Sequence, residues 1–482
     1  MEEEELSLIK RKIVSGVVAL TSRTFILQVI AFVSTFILTI LLSPSVFGVF
    51  FVVSAVISFL SYFSDIGLAA ALIQKKTEPT QKELTSVFTL QQLLVLIIVI
   101  GAYILSPYIS QFYKLTPDGI FLLRSLIIAF LLSSLKTIPS ILLERKLEFS
   151  RLIIPQILET FSFYLVAIYL AFRGFGISSF AWAAIIRGVV GLIAIYVISP
   201  WRISIGISYS SIKSLLSFGI PFQTNSFLAL IKDDLMTIFL GKVLPFSQVG
   251  YIGWAKKWAE TPLRLIMDSI IRVTFPAYSR LQDEKKILGM AMGKSIFFLA
   301  LFILPTTTLL TIYMKPMIFL VPKYLKWEPA LTSFYLFAFS SVMAAFSSPL
   351  VNALNALGKI KSTLVLMVIW TTLTWILVPL LIFFYGYIGV AIAAFVMSFT
   401  VFIPILVTRK YIFFPLGSPL FKPVIATIFV AVIAFLSNIF VNSLVGLIIS
   451  ISISFLSFGL IIWFWMREEI KPYLPKFLNL YS

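Results

Sequence analysis

The sequence contains no cysteine and no histidine among its 482 residues. Disulfides, thiolate nucleophiles and Cys/His zinc sites are therefore excluded, and no imidazole can relay protons. Charge is also scarce, because 12% of the residues are charged, against about 25% in ordinary soluble domains. Hydrophobic residues make up 60% of the chain, and the mean hydropathy is +1.04. A cytosolic enzyme, a secreted disulfide scaffold and a disordered chain are excluded, which leaves a polytopic membrane protein.

Apolar runs divide the chain into fourteen predicted membrane spans, each near the 20 or so residues that a bilayer core of about 30 Å requires. Helix is the expected state, since the alternating pattern of a membrane β-barrel is absent. We number these spans 1 to 14 in chain order. They lie at about 13–42, 46–73, 84–112, 119–143, 152–172, 177–198, 214–240, 247–277, 288–314, 329–357, 362–384, 387–408, 421–441 and 444–466. The predicted fold is an all-α polytopic membrane protein.

The few charges are mostly basic, with 38 Lys and Arg against 20 Asp and Glu, a net charge of +18. In a soluble protein this excess would favour nucleic acid as a partner, but in a membrane protein basic residues mark the cytoplasmic loops. If the N-terminus is cytoplasmic, nine basic residues lie inside spans, six on the outer side and the remaining 23 in cytoplasmic segments. The outer six are Lys114, Arg173, Lys242, Lys315, Lys323 and Lys326. The sequence therefore predicts a cell-membrane protein with both termini in the cytoplasm and no nucleic-acid partner.

The loops are short, and none exceeds about twenty residues, so no soluble catalytic domain is expected. The first span is about 30 residues long and follows the basic cluster Lys10–Lys12. That length exceeds a cleaved signal peptide, so we expect a retained helix with an amphipathic entry. The expected organisation is an N-terminus (1–12), an N-lobe of spans 1 to 6 (13–198), a linker (199–213), a C-lobe of spans 7 to 12 (214–408), spans 13 and 14 (421–466) and a tail (467–482).

The two halves of the chain share a series of matched residues in the same order. The pairs are Ser45-x-x-Gly48 with Ser247-x-x-Gly250, Pro107 and Lys114 with Pro316 and Lys323, Pro139 with Pro349, and Gly176 with Gly386. The repeat unit is six spans, and an even number preserves orientation across the membrane. We therefore expect two parallel six-helix lobes around a central cavity, with spans 13 and 14 beside them.

Fifteen charged residues lie inside the predicted spans, where exposure to lipid costs about 2.5–3.5 kcal/mol each. Most of them must face protein, water or the interface. The basic members are Arg23, Arg124, Lys136, Arg187, Lys232, Lys256, Lys257, Arg264 and Arg272. The acidic members are Asp65, Glu159, Asp233, Asp234, Glu260 and Asp268. Nine basic against six acidic residues leave a surplus of +3, which suits a phosphate-bearing cargo better than a cation.

Span 8 carries the most regular charge pattern, with alternating sign at a spacing of four. Its members are Lys256, Glu260, Arg264, Asp268 and Arg272. Residues four apart lie one helical turn apart and can neutralise each other. The pattern fits an internal ladder of salt bridges that makes the helix insertable, and it also fits a polar cavity wall that contacts an anionic substrate.

Three consecutive charges, Lys232, Asp233 and Asp234, lie deep in span 7 and point in different directions around a helix. Arg23 lies well inside span 1 and has no acidic residue three or four positions away, so it is a candidate for anion binding. Lys136 is nearer a cytoplasmic end, where its ammonium group is expected to snorkel to the interface. Two further charges of the N-lobe, Glu159 and Arg187, fit a structural and a functional role equally.

Several segments together resemble the polysaccharide-transporter family of lipid-linked oligosaccharide flippases. They are Asp65-Ile-Gly-Leu-Ala-Ala-Ala-Leu-Ile-Gln74, Ile138-Pro-Ser-Ile-Leu-Leu-Glu-Arg-Lys-Leu-Glu-Phe149, Ser199-Pro-Trp-Arg202, Phe218-Gly-Ile-Pro221 and Phe275-Pro-Ala-Tyr-Ser-Arg-Leu-Gln-Asp283. The resemblance covers about 65–415. It implies the fold of the multidrug/oligosaccharidyl-lipid/polysaccharide superfamily, with two six-helix lobes and two extra helices.

The resemblance also implies a function: polyprenyl-pyrophosphate-linked oligosaccharide moves from the cytoplasmic to the outer leaflet by alternating access, for cell-surface polysaccharide biosynthesis. In related flippases basic residues on span 1 meet the pyrophosphate, and Arg23 is the matching residue here. Family members often carry an Asp-Asn pair before an Ile-Gly turn in span 7. Here Lys232, Asp233 and Asp234 stand close by at a different spacing from Gly241.

The expected protein is therefore a monomeric flippase without a cofactor, and not an enzyme, because no bond is broken. Coupling to protons or Na⁺ through Asp233, Asp234 or Glu260 stays open. The expected substrate contacts are Arg23, Lys232, Asp233, Asp234, Lys256, Glu260, Arg264 and Asp268. The alternatives are a multidrug exporter or a peptidoglycan-precursor flippase of the same superfamily. An integral glycan polymerase or ligase is disfavoured, because its catalytic groups would need a long outer loop. A non-transporting scaffold is disfavoured, because fifteen intramembrane charges are costly for such a protein.

Overall fold

The computed structural model describes residues 24–470, apart from positions 65, 76, 211, 214 and 217–226. Side chains are described for these residues except 268–273 and 470. All regular elements of this described part are helices, so the predicted all-α class is confirmed. Arg23 and Asp65, two of the charges singled out in the sequence, lie outside the described residues.

The residues up to Gly250 form one compact unit, which we call the first unit. Its helices are α1 (described over Thr24–Leu41), α2 (Pro44–Tyr62), α3 (Leu68–Gln74), α4 (Gln81–Tyr113), α5 (Pro117–Ser134), α6 (Thr137–Arg145), α7 (Phe149–Phe172), α8 (Ser178–Ile198) and α9 (227–243). Helix α8 packs on both α5 and α7, and α9 packs on α2.

The residues from Tyr251 form the second unit, and helix α10 (Phe246–Arg280) begins just before this boundary. The other helices are α11 (Lys285–Leu320), α12 (Leu331–Ala356), α13 (Ile360–Tyr385), α14 (Ile388–Arg409), α15 (Gly417–Ser437), α16 (Leu444–Trp465) and α17 (Arg467–Ile470). Helix α14 contains a 3₁₀ turn at Phe399–Val401, and 3₁₀ turns also precede α12 and follow α15. Within this unit, α15 packs on α11 and α16, and α14 packs on α12 and α13.

Twelve helices among the described residues are long and apolar enough to cross a membrane, so the chain is a multi-pass membrane protein. Each corresponds to one of the fourteen predicted spans, and the remaining two spans are not confirmed. Span 7 is partly outside the described residues, and its described helix is α9. Span 8 corresponds to α10, a continuous helix of 35 residues that carries too many charges to count as an apolar span.

Span 4 was predicted as one helix, but the structure divides it into α5 and α6. The cause is Pro139, the third residue of α6, which has no N–H to donate to the carbonyl of Leu135. That carbonyl instead accepts a hydrogen bond of 3.1 Å from the hydroxyl of Tyr196 on α8. The break places Lys136 at the N-terminal cap of α6, inside the first unit.

Span 2 is likewise divided, into α2 and the short helix α3. Gly67 caps α3 with a φ of +80°, a left-handed conformation that glycine adopts without strain. The C-terminal end of α3 is held by Arg145 of α6, whose guanidinium donates to the carbonyls of Leu72, Ile73, Lys75 and Thr77. Two of the segments that resemble the polysaccharide-transporter family are thus in contact. The segment 65–74 contains α3, and the segment 138–149 supplies Arg145, which caps the end of α3.

The internal repeat reappears in the backbone conformation of each unit. Lys114 and Lys323, the matched lysines after spans 3 and 9, both have a positive φ, at 53° and 61°. The matched glycines Gly176 and Gly386 have φ values of 53° and 60°. Non-glycine residues rarely adopt this conformation, so its recurrence at matched lysines supports the repeat beyond the likeness in sequence.

Helices α2 and α10 approach each other at the two Ser-x-x-Gly sequences. A Cβ atom added to Gly48 would lie 1.8 Å from the carbonyl oxygen of Phe246, and one added to Gly250 would lie 1.9 Å from that of Pro44. Each glycine therefore receives the backbone of the other helix's first turn. The two repeat-related glycines permit one reciprocal close approach.

Helices α15 and α16, the predicted spans 13 and 14, are joined to α11 by one buried tyrosine. The Tyr313 hydroxyl lies 3.0 Å from Ser437 Oγ and 2.8 Å from Ser454 Oγ, and it donates to the Ser450 carbonyl at 3.0 Å. Apolar residues of all three helices surround this polar centre. The last two spans thus pack as part of the second unit.

Candidate substrate-binding charges

On α10 the predicted charge ladder is present over its first three members. Glu260 Oε2 accepts a hydrogen bond of 2.8 Å from Arg264 Nη2, and Glu260 Oε1 lies 3.9 Å from Lys256 Nζ. The glutamate is mostly buried, whereas Lys256 and Arg264 stay about half and two-thirds exposed. Together these three side chains carry a net charge of +1. Asp268 continues the same helix, but its side chain is outside the described part.

On α9 the predicted charge cluster coincides with a π-helical turn at Ile231–Leu235. Such turns insert one residue into the α-helical ladder and often occur at functional sites. Asp233 is exposed, while Lys232 and Asp234 are half-buried. The hydroxyl of Ser58 on α2 donates to Asp234 Oδ2 at 3.0 Å. The π turn therefore directs successive charges differently, with one toward α2 and another toward solvent.

A third cluster of charges, which the sequence did not predict as a group, lies in the first unit. Lys136 Nζ is 2.6 Å from Glu159 Oε1, and both side chains are largely buried. Arg187 Nε is 3.8 Å from Glu159 Oε2, and its side chain is 52% exposed. We call these three residues the α7 charge triad.

The α7 charge triad corrects the expectation that Lys136 snorkels to the interface, because its ammonium is held by Glu159 instead. The carboxylate fits there because Gly191 of α8 has no side chain, and a Cβ atom on it would lie 2.1 Å from Glu159 Oε1. The three residues stand on three different elements, so no helical spacing links them in the sequence. The sequence signal that could have revealed the triad is one of these charges inside each of the neighbouring predicted spans 4, 5 and 6.

Another arginine of the first unit, Arg124 on α5, is accounted for by nearby partners. Its Nε donates to Ser106 Oγ at 3.1 Å, and its guanidinium lies 5.0 Å from the centre of the Tyr103 ring. These contacts tie α5 to α4 and give Arg124 a structural role.

The charged clusters offer guanidinium and ammonium groups, which bind phosphate and carboxylate oxygens. No group of three or more acidic residues in the described part of the chain could hold a metal ion. The Lys256–Glu260–Arg264 cluster and the α7 charge triad each carry a net charge of +1. These two clusters are therefore suited to binding an anion.

The sequence pattern of the polysaccharide biosynthesis protein family matches residues 37–331, more than half of the chain. The chain therefore belongs to this family, as the sequence resemblance implied. The matched region runs from within α1 to the start of α12.

Among the relatives is the succinoglycan biosynthesis transport protein ExoT of Rhizobium meliloti, which is 22% identical over 60% of this chain. That match covers 56% of ExoT, so the chain spans little more than half of its length. The lipopolysaccharide biosynthesis protein WzxC of Escherichia coli is 22% identical over 73% of this chain and 71% of its own length. Both relatives are named for the synthesis of bacterial polysaccharides.

Solved structures with the same fold include the lipid II flippase MurJ in an inward closed conformation. It superposes with a TM-score of 0.74 at 16% identity, over 94% of this chain and 99% of MurJ. An inward-facing multidrug resistance MATE family transporter of the MOP superfamily gives a TM-score of 0.64 over 82% of this chain and 98% of its own, also at 16% identity. The chain therefore shares the fold of these two transporters, as the sequence resemblance implied.

Proposed function

We propose that the protein is a flippase that moves polyprenyl-pyrophosphate-linked oligosaccharide from the cytoplasmic to the outer leaflet. The observation that carries the proposal is the family of polysaccharide biosynthesis proteins, matched over residues 37–331, in a chain with twelve apolar helices of spanning length. The relative ExoT is named a transport protein, and the fold is shared with a lipid flippase.

The charges support an anionic cargo. In this proposal the sugar-pyrophosphate headgroup binds basic groups while the polyprenyl chain stays in the lipid. The proposed contacts are Arg23, Lys232, Asp233, Asp234, Lys256, Glu260, Arg264 and Asp268. Alternating access then exposes the headgroup on the other side of the membrane, with both termini in the cytoplasm and the chain acting as a monomer.

The test is leaflet transfer in vesicles that contain the purified protein. A fluorescent polyprenyl-pyrophosphate oligosaccharide is placed in both leaflets, and a membrane-impermeant quencher reports the fraction that has moved. Transfer well above that of empty vesicles is expected, and transfer equal to empty vesicles contradicts the proposal. Arg23→Glu should reduce transfer while the yield of folded protein stays unchanged. Unchanged transfer would remove Arg23 from the proposed contacts.

The competing substrate is a peptidoglycan precursor, which the shared fold with the lipid II flippase MurJ favours. The same vesicles loaded with fluorescent lipid II distinguish the two. Faster transfer of lipid II than of the polysaccharide precursor would assign the protein to peptidoglycan synthesis instead.

A further inference from the structure

Arg187 of the α7 charge triad lies at mid-depth in a spanning helix. It is the tenth of the 21 residues of α8, about 14 Å along a helix of about 32 Å. A guanidinium at this depth is unfavourable in lipid and needs protein, water or a ligand as its partner. What surrounds Arg187 therefore decides its role.

The protein itself supplies only weak partners for the Arg187 guanidinium. Glu159 is already bound by Lys136 at 2.6 Å, and its second oxygen is 3.8 Å from Arg187 Nε, beyond hydrogen-bond length. The ring of Phe163 lies 5.9 Å from the guanidinium carbon. Across the described residues, no hydrogen bond reaches the Arg187 side chain, which stays half-exposed.

Two other arginines of the first unit, Arg145 and Arg124, are different. Arg145 uses both terminal nitrogens on backbone carbonyls at the end of α3, and Arg124 donates to Ser106. Arg187 keeps its planar set of N–H donors available, and the triad has a net charge of +1. Guanidinium groups with free parallel donors match the paired oxygens of phosphate.

We propose that Arg187 binds a phosphate group of the transported lipid, in a site made by the α7 charge triad and the Phe163 ring. The proposal rests on the proposed function for the identity of the ligand. The single carboxylate of Glu159 is shared between Lys136 at 2.6 Å and Arg187 at 3.8 Å, so the triad keeps one excess positive charge. An incoming pyrophosphate supplies the missing negative charge at mid-depth.

The experiment is calorimetric binding to the full-length protein in nanodiscs of uncharged phosphatidylcholine. The probes are inorganic pyrophosphate and farnesyl pyrophosphate, which separate a free anion from a lipid-linked one. Arg187→Gln should weaken binding of the preferred probe at least tenfold. The matched variant Arg124→Gln should bind as the wild type does. Tighter binding of farnesyl pyrophosphate supports the lipid-linked ligand, and tighter binding of the inorganic ion overturns it in favour of a free anion.

Equal binding by Arg187→Gln and wild type, or no binding by the wild type, overturns the proposal. Thermal unfolding of each variant establishes that a loss of binding is not a loss of fold, and Arg187→Lys, which keeps the charge, should retain part of the affinity. If the wild type transfers no lipid-linked oligosaccharide while pyrophosphate binding still depends on Arg187, the proposed function fails and the site stands. If transfer is present and Arg187→Gln changes neither transfer nor binding, the site fails alone.

Discussion

Lys136 and Glu159 form a close ion pair in the interior of the first unit, with side chains that are 14% and 11% exposed. Removing one partner of a buried pair leaves the other charge without compensation, which costs about 3–5 kcal/mol. We therefore expect Glu159→Gln to lower the thermal unfolding temperature of the purified protein clearly. The double variant Lys136→Met, Glu159→Gln should recover much of that loss, because no charge then stays buried.

The matched control is Glu148→Gln, which breaks the exposed pair between Glu148 and Arg151 at 3.0 Å. Exposed pairs contribute about 0–1 kcal/mol, so this variant should unfold close to the wild-type temperature. A Glu159→Gln protein as stable as Glu148→Gln would contradict a stabilising role for the buried pair.

At the scale of residues, the sequence predicted contacts within a helix better than contacts between helices. The pairing of Glu260 with Arg264 follows from their spacing, because residues four apart meet on any α-helix. The pairing of Lys136 with Glu159 depends on where α5 ends and on how α7 packs. Neither is encoded in the spacing of 23 residues, and the expectation that Lys136 snorkels was wrong for that reason.

At the scale of elements, the close approach of α2 and α10 depends on two side chains being absent. Gly48→Ala would place a methyl group 1.8 Å from the Phe246 carbonyl oxygen, so the helices must separate. Overpacking of this kind costs about 1–3 kcal/mol. We expect a lower unfolding temperature for Gly48→Ala, measured on the purified protein.

Gly101 of α4 provides the matched control, because a Cβ atom there meets nothing within 4 Å. Alanine favours a helix interior over glycine by about 0.5–1 kcal/mol, so Gly101→Ala should be neutral or stabilising. Equal unfolding temperatures for the two variants would mean that the first turns of α2 and α10 do not need their close contact.

The breaks within spans 2 and 4 illustrate what a hydrophobic pattern cannot specify. Pro139 was visible in the sequence, but proline is tolerated in many spanning helices, and α4 continues through Pro107. At Pro139 the freed carbonyl of Leu135 finds the hydroxyl of Tyr196. That partner comes from another helix, so the break depends on tertiary packing.

At the scale of the whole molecule, the absence of cysteine allows the proposed orientation in the membrane to be tested. The chain has no cysteine, so each introduced cysteine is a unique site for a membrane-impermeant maleimide. We expect Arg173→Cys and Lys323→Cys to react in intact cells, because both are exposed and lie in predicted outer loops. Lys146→Cys and Lys361→Cys should react only after the membrane is opened.

The two pairs of positions examine different parts of the topology. Arg173 and Lys146 depend on spans 1 to 6, whereas Lys323 and Lys361 also depend on spans 7 and 8. If only one of spans 7 and 8 crosses the membrane, Lys323→Cys and Lys361→Cys exchange sides. Labelling of Lys146→Cys in intact cells would contradict the cytoplasmic N-terminus.

Much of the whole molecule could be predicted from the sequence, because membrane folds are governed by the length and polarity of their segments. Twelve of the fourteen predicted spans coincide with described helices that are long and apolar enough to cross a membrane, and the fold and the family are confirmed. Span 8 is not confirmed as an apolar span, because the charged residues along α10 lower the hydropathy of this helix.

The anchoring of α15 and α16 by Tyr313 has a consequence in time. The Tyr313 hydroxyl is made 124 residues before Ser437 and 141 residues before Ser454. At about 5–20 residues per second, a ribosome needs on the order of ten seconds to deliver these partners. During that interval the newest part of the protein carries a polar group in apolar surroundings without its final contacts. The Tyr313 hydroxyl therefore gains its final partners only after α15 and α16 have been synthesised. A chain that stops before α15 lacks these hydrogen bonds at the centre of its second unit.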